Sequence, residues 1–230
     1  MAKRTIFWAI CAIVVCIAAS CGGSQTKSSS GEETPVGKGL FAEVMTLVKE
    51  YQGKEDALSE KMQAAGQAQD QGKLEKLMKE QKALKPEFKE KLAAISAKLS
   101  GTKIAYELPD TFFYQLTTEP AIAEVTPNGL NATGVIQFTV SARKDFKVGK
   151  YKKDDYRIFM RLVDDAGAVL GYHVEHTIAD DRKPQEIKAG TALQPVSVNI
   201  VLAEKSSDEA AVAKIVFVPE SEWQQSLNSK

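Results

Sequence analysis

The apolar side chains change their period near residue 101, and this change constrains the fold more than any other feature of the chain. Between Lys38 and Ser100 the residues Leu40, Phe41, Val44, Leu47, Val48 and Tyr51 recur at helical spacing, and Leu58, Met62 and Ala65 continue the stripe. A second stripe holds Leu74, Leu77, Leu84, Phe88, Leu92, Ile95 and Leu99. Gly66 to Gly72 (GQAQDQG) supplies the turn between them, so the segment predicts an antiparallel hairpin of two helices, each about 26 residues and about 40 Å long. Gly53 marks a point where the first helix would bend or break. Pro86 should kink the second helix or start a new one after Leu84.

From Ile104 onward the period is two. Ile136, Phe138, Val140 and Ala142 share one strand face, with Gln137, Thr139 and Ser141 on the other. Tyr156, Ile158, Met160 and Leu162 alternate with Arg157, Phe159 and Arg161, and Val196, Val198, Ile200 and Leu202 alternate with Ser197 and Asn199. Asp164-Asp165-Ala166-Gly167 turns the chain into Val169 to Glu175, which predicts a hairpin over 156–176. Further strands are expected at 104–108, 112–117, 121–126 and 211–218. Seven or eight short strands in about 115 residues suggest two packed sheets.

In strand count and spacing this part resembles an immunoglobulin-like or fibronectin-III-like domain, without the Cys-Trp-Cys signature of antibody-type domains. The expected fold is therefore α+β, an N-terminal α-helical hairpin followed by an antiparallel β-sandwich. The organisation reads as a signal peptide over 1–20, a flexible tether over 21–37, the hairpin over 38–100, the β-sandwich over 101–220 and a C-terminal tail over 221–230. A fold resemblance of this kind says little about function.

The first residues are a targeting segment. Lys3 and Arg4 precede fourteen uninterrupted apolar residues, Ile6 to Ala19, too short a run to span a bilayer comfortably. The sequence Ala18-Ala19-Ser20-Cys21-Gly22 resembles the lipobox of bacterial lipoproteins, although family members more often have Leu where this chain has Ala18. The resemblance implies cleavage before Cys21, acylation of its thiol and new amino group, and retention on a membrane by acyl chains such as palmitate. It is also compatible with release to the outer membrane, because Gly22 stands where an inner-membrane lipoprotein would carry Asp. With Glu32 and Glu33 placed late, the expected location is the periplasmic face of a Gram-negative-type envelope.

All three cysteines lie in the first 21 residues. On this reading two leave with the signal and Cys21 is lipidated, which removes disulfides, Cys-ligated metals and cysteine nucleophiles together. Gly22 to Gly37 has linker composition, with an r.m.s. reach of roughly 20 Å and a full stretch of about 50 Å. The precursor has 30 basic and 30 acidic residues. From Cys21 onward there are 28 basic and 30 acidic residues, a balance that gives no reason to expect a nucleic-acid partner.

Candidate chemistry is sparse. No G-x-S-x-G, H-E-x-x-H, Walker or G-x-G-x-x-G motif occurs, so no catalytic residue, metal ligand or cofactor is assigned. His173 and His176 are three apart on a strand, which puts them on opposite faces, and a part-buried strand-end role is expected for His176. Asp164-Asp165 and Asp180-Asp181 read as turn residues. The sequon Asn131-Ala132-Thr133 reads as a chance match.

The most distinctive local composition is Arg143 to Arg157 (RKDFKVGKYKKDDYR), seven basic residues against three aspartates with interleaved aromatics. Lys147, Lys150, Tyr151, Lys152, Lys153 and Tyr156 form a candidate loop for an anionic glycan, lipid headgroup or acidic partner. Its plainer reading is a solvated loop whose lysines keep a sheet edge from pairing with other chains. The hairpin stripe likewise either packs internally or pairs with a partner helix. The expected function is a lipid-anchored, non-catalytic binding or scaffolding module of the cell envelope, with an envelope protein or glycan as partner. An envelope hydrolase or carbohydrate-active protein, and a structural spacer or assembly subunit, stand as alternatives.

Overall fold

A computed structural model describes residues 39–148, 157–177, 185–204 and 208–228. The signal segment, Cys21 and the tether lie outside the described residues. The described residues all belong to one compact unit.

The hairpin is present as α1 (Ala42–Gln67) and α2 (Gln71–Leu99). α1 passes through Gly53, and α2 passes through Pro86 as one helix, so no new helix starts after Leu84. Packing along the stripe holds α2 through the lost hydrogen bond: Leu77, Leu84, Phe88, Leu92 and Ile95 are all buried. The turn is tighter than the expected Gly66–Gly72 span. Asp70 N donates to Ala65 O and Gln69 N to Gly66 O, the double closure of a Schellman motif, and the Asp70 carboxylate accepts from Lys73 N at 3.0 Å to cap α2. Neither glycine sits at the left-handed position; Gln69 does, with φ 53°. Gln69→Gly should therefore raise stability by about 1 kcal/mol, read as a higher urea midpoint at constant slope.

Nine strands follow among the described residues. β1 (Ala105–Glu107), β2 (Tyr114–Asn128) and β3 (Asn131–Ala142) are succeeded by β4 (Phe146–Val148), β5 (Arg157–Val163) and β6 (Val169–His176). β7 (Gln185–Ile187), β8 (Val196–Leu202) and β9 (Lys214–Val218) complete the set. A 3₁₀ turn (Asp208–Ala211) precedes β9, and α3 (Glu220–Asn228) follows it where a tail is expected. The sheets are ordered β1-β9-β5-β6, β2-β3-β8 and β4-β7. The expected hairpin over 156–176 is the β5–β6 pair, whose turn is closed by the Asp164 carboxylate accepting from Ala166 N and Ala168 N.

Two expectations are corrected. The strands are not all antiparallel: β1 runs parallel to β9, a direction that a period of two cannot encode. The segments 112–117 and 121–126 are one strand, β2, which runs through Pro120 and Pro127 with bulges between Leu116 and Glu124. The prolines are tolerated because β2 is an edge strand, and Pro120 presents only its carbonyl outward, to Ile104 N.

The middle of that edge is closed by the chain just before it. Gly101 N donates to Ile122 O, Ile122 N to Thr102 O, and Val125 N to the Ser96 hydroxyl at 2.8 Å. Ser100 Oγ donates to Ala123 O at 3.1 Å. The C-terminal turn of α2 thus occupies hydrogen-bonding positions that another chain would need in order to add a strand there.

One hydrophobic cluster joins the helices to the sheets. Its inward strand residues are those of the expected alternation, Ile136, Phe138 and Val140 on β3 and Val196, Val198, Ile200 and Leu202 on β8. Phe138 of the three-stranded sheet meets Phe217 of the four-stranded sheet edge-on, with ring centroids 5.5 Å apart. Phe41, at the N-terminus of α1, is fully buried with its ring over Gly134 of β3.

Candidate interaction surface

The basic segment is described only at its ends. Lys150, Tyr151, Lys152, Lys153 and Tyr156 lie outside the described residues, as do Asp180 and Asp181. Lys147 is exposed on β4, opposite Glu186 of β7. The flanking positions take part in local contacts. Arg143 Nη1 donates to Asp110 O at 2.5 Å, Lys144 lies 3.9 Å from the centre of the Phe113 ring, and Phe146 is buried. Asp145 accepts from both Lys188 Nζ and Ala189 N at 2.9 Å, which holds its carboxyl below the usual carboxylate range.

The histidines lie on opposite faces of β6, as the spacing requires. His173 is paired with Met160, whose side chain is in the core, and His176 with Arg157 on the outer face. The part-buried position expected for His176 is corrected: His176 is exposed, while His173 is part-buried and its Nε2 lies 3.2 Å from Glu209 Oε1. That carboxylate lies so close over Gly171 that a Cβ there would overlap it. Glu175 is paired with Ile158 on the same inward face, and burial pushes its carboxyl up although His173 and His176 act in the opposite sense. Among the described residues no group of three or more His, Cys, Asp and Glu could hold a metal ion.

Sequence reasoning missed the outer face of the four-stranded sheet. Arg157, Phe159, Arg161 and Val163 of β5 point away from the main core, in register with Val174 of β6 and with Val216 and Val218 of β9. These strands would ordinarily show one polar face, yet Phe159, Val163, Val216 and Val218 form a second buried apolar cluster. α3 lies over it. Trp223 meets Phe159 at 5.3 Å between ring centroids, Arg157 Nη2 donates to Glu220 at 3.0 Å, and Arg161 Nη1 donates to Glu222 at 2.7 Å. The Arg157 guanidinium also lies 5.1 Å from the Phe159 ring centre. The available signal was the apolar Phe159 and Val163 among the outward positions of β5, together with a lone Trp223 beyond the last strand.

On the hairpin, the Tyr51 hydroxyl donates to Glu87 at 2.5 Å, and its ring stacks edge-on with Phe88 at 5.4 Å. Lys54 and Lys91 stand 4.3 and 5.2 Å from the Tyr51 ring centre and pair with Glu50 and Glu87. The Tyr51–Glu87 bond and the 3.8 Å approach of Lys91 to Glu50 tie α1 to α2. Two shallow grooves flank the helices. One, about 360 Å³, lies between α2 and β2 and is lined by Ala93, Ser96, Ala97, Ala123 and Val125. The other, about 390 Å³, lies between α1 and α2 beside Leu58 and Leu84. No helix among the described residues is long and apolar enough to cross a membrane.

No protein-family model, curated protein or solved structure matches this chain.

Proposed function

We propose that this chain is a lipid-anchored, non-catalytic binding module of a Gram-negative-type cell envelope. It is held on the periplasmic face of the outer membrane through Cys21 and presents its folded part to an envelope protein or glycan. The observation that carries the reading is the run of small residues Ala18-Ala19-Ser20 directly before Cys21, followed by a sixteen-residue tether of linker composition. Support for a binding role comes from how the charged side chains are used. The outer face of the four-stranded sheet sets Arg157 and Arg161 around Phe159, a combination of residue types that is enriched at recognition surfaces. We infer further that the two larger sheets are the layers of an immunoglobulin-like sandwich, a reading supported by the Phe138–Phe217 contact between them.

Growth with a clickable palmitate analogue tests the anchor. The wild-type chain should take up the label and sediment with outer membranes. Cys21→Ala should lose the label and leave the membrane fraction, and a Cys21→Ala chain that keeps the label would overturn the anchor. Cross-linked pull-down from detergent-solubilised envelopes tests the binding role, which predicts recovery of one envelope protein or glycan in near-stoichiometric amount.

A further inference from the structure

We propose that the Arg157–Phe159–Arg161 face is a docking site for an acidic amphipathic helix of a partner protein, and that α3 occupies it as an intramolecular competitor. The proposal gives the binding module its surface and rests on that reading for the existence of a partner. The two fail separately, because labelling at Cys21 reads the anchor and helix binding reads the face.

The resident helix is lightly held. None of its nine residues is buried, and Leu227 is 54 % exposed. Nine residues are too few for a helix that stands alone in water, so α3 is helical only while docked. Its attachment consists chiefly of one aromatic contact and two Arg–Glu pairs. Pro219 alone separates it from β9, which makes a stiff hinge.

The face beneath offers more than α3 uses. Arg161 engages Glu222 through Nη1 only, and its Nε is buried without an acceptor among the described residues. A carboxylate placed side-on would take two donors from one guanidinium. Arg157 and Arg161 lie four residues apart on β5, about 13 Å along a strand, on either side of the Phe159 ring. Charge complementarity therefore defines the occupant: a helix with two carboxylates flanking an aromatic, the chemistry that Glu220, Glu222 and Trp223 already display. A longer helix of that kind would also cover Val174, which is only part-buried beside the cluster, and would displace α3.

The test uses the full-length protein and a fluorescein-labelled peptide of residues 219–228 (PESEWQQSLN) as the probe, read by anisotropy. A Glu222→Lys/Trp223→Ala variant, with its resident helix weakened, should bind the peptide at least tenfold more tightly than wild type. Adding Arg161→Glu should abolish that binding. An opened variant that keeps its thermal unfolding transition but binds no better than wild type overturns the proposal, as does binding that survives Arg161→Glu. Should the opened variant fail to fold, hydrogen exchange on the wild-type chain decides. The α3 amides should exchange at least tenfold faster than those of β9. Exchange of both at one common rate overturns it. Concentration-dependent dimers that trade α3 between copies would make a second copy the occupant and overturn the partner reading.

Discussion

Phe41→Ala should lower the stability of the protein by about 3–5 kcal/mol, and Gly134→Ala by about 2–3 kcal/mol, yet the two together should cost far less than their sum. Phe41 closes the N-terminal end of α1 and is fully buried, so truncating it leaves a cavity between the hairpin and β3. A Cβ at Gly134 would meet two atoms of that ring at 2.6 Å, well inside contact distance. The ring cannot swing aside, because the entry of α1 is held from the other direction. Phe41 N donates to Ala210 O at 3.3 Å, and a Cβ at Gly39 would come within 2.6 Å of Ala211 Cα. In the Phe41→Ala background the methyl introduced by Gly134→Ala occupies emptied space, and its cost should fall below about 1 kcal/mol. Urea unfolding of the four chains at constant slope measures the coupling. Simple additivity would show that the ring and the glycine do not meet.

Tyr51→Ala should destabilise by about 3–5 kcal/mol, because Tyr51 is fully buried between α1 and α2 and stacks on Phe88. Tyr51→Phe separates the ring from its hydroxyl and should alter the pH dependence in a defined direction. The hydrogen bond from the Tyr51 hydroxyl, followed by that from Lys91, holds the Glu87 carboxyl below its ordinary value of 4.5, and Lys54 does the same for Glu50. A lowered carboxylate contributes stability above its unfolded pKa and loses that contribution as pH falls through its folded value. The loss from Tyr51→Phe should therefore be largest near pH 7 and shrink as pH is taken from 5 towards 3. Lys91, beside the Tyr51 hydroxyl and Glu87, is pushed up to about 12, so its contribution is complete below pH 10.5 and disappears as pH rises through about 12. Glu175 acts with the opposite sign. Its raised carboxyl makes the native state bind the extra proton, so its contribution falls as pH rises above 4.5. A loss from Tyr51→Phe that is the same at pH 3 and pH 7 would show that the hydroxyl does not engage the Glu87 carboxylate.

Both results concern contacts between segments far apart in the chain, and these are the parts that sequence reading misses. The hairpin was legible because an apolar stripe at helical spacing is a local property of sixty residues. The strands β3, β5 and β8 are legible for the same reason at period two, and β6 from the turn that leads into it. The three-residue strands β4 and β7 carry too few residues to show a period. The sequence divides β2 at Pro120 because proline ordinarily breaks a strand, a rule that holds for central strands and fails on an edge. Direction was invisible too, since β1 and β9 look the same whether they run parallel or antiparallel.

The candidate site divides in the same way. The basic composition of 143–157 drew attention, but composition cannot show that Arg143 is engaged by Asp110 and Arg157 by Glu220, 33 and 63 residues away. The spacing of His173 and His176 fixed their opposite faces correctly. Which of them is the more buried depended on the 3₁₀ turn that brings Glu209 to His173, and no local pattern announces that turn.

From the sequence alone came the class of fold, the helical hairpin, the inward faces of the main strands and the expectation of a lipid anchor at Cys21. Each rests on side-chain periodicity or a short contiguous motif, which are properties of neighbours along the chain. Tertiary structure alone decided that the end of α2 and the residues after it cover the middle of the β2 edge, that Phe41 requires a glycine at position 134, and that Trp223 covers Phe159. Those depend on atoms brought together by folding, where contact distance and hydrogen-bond geometry replace spacing along the chain.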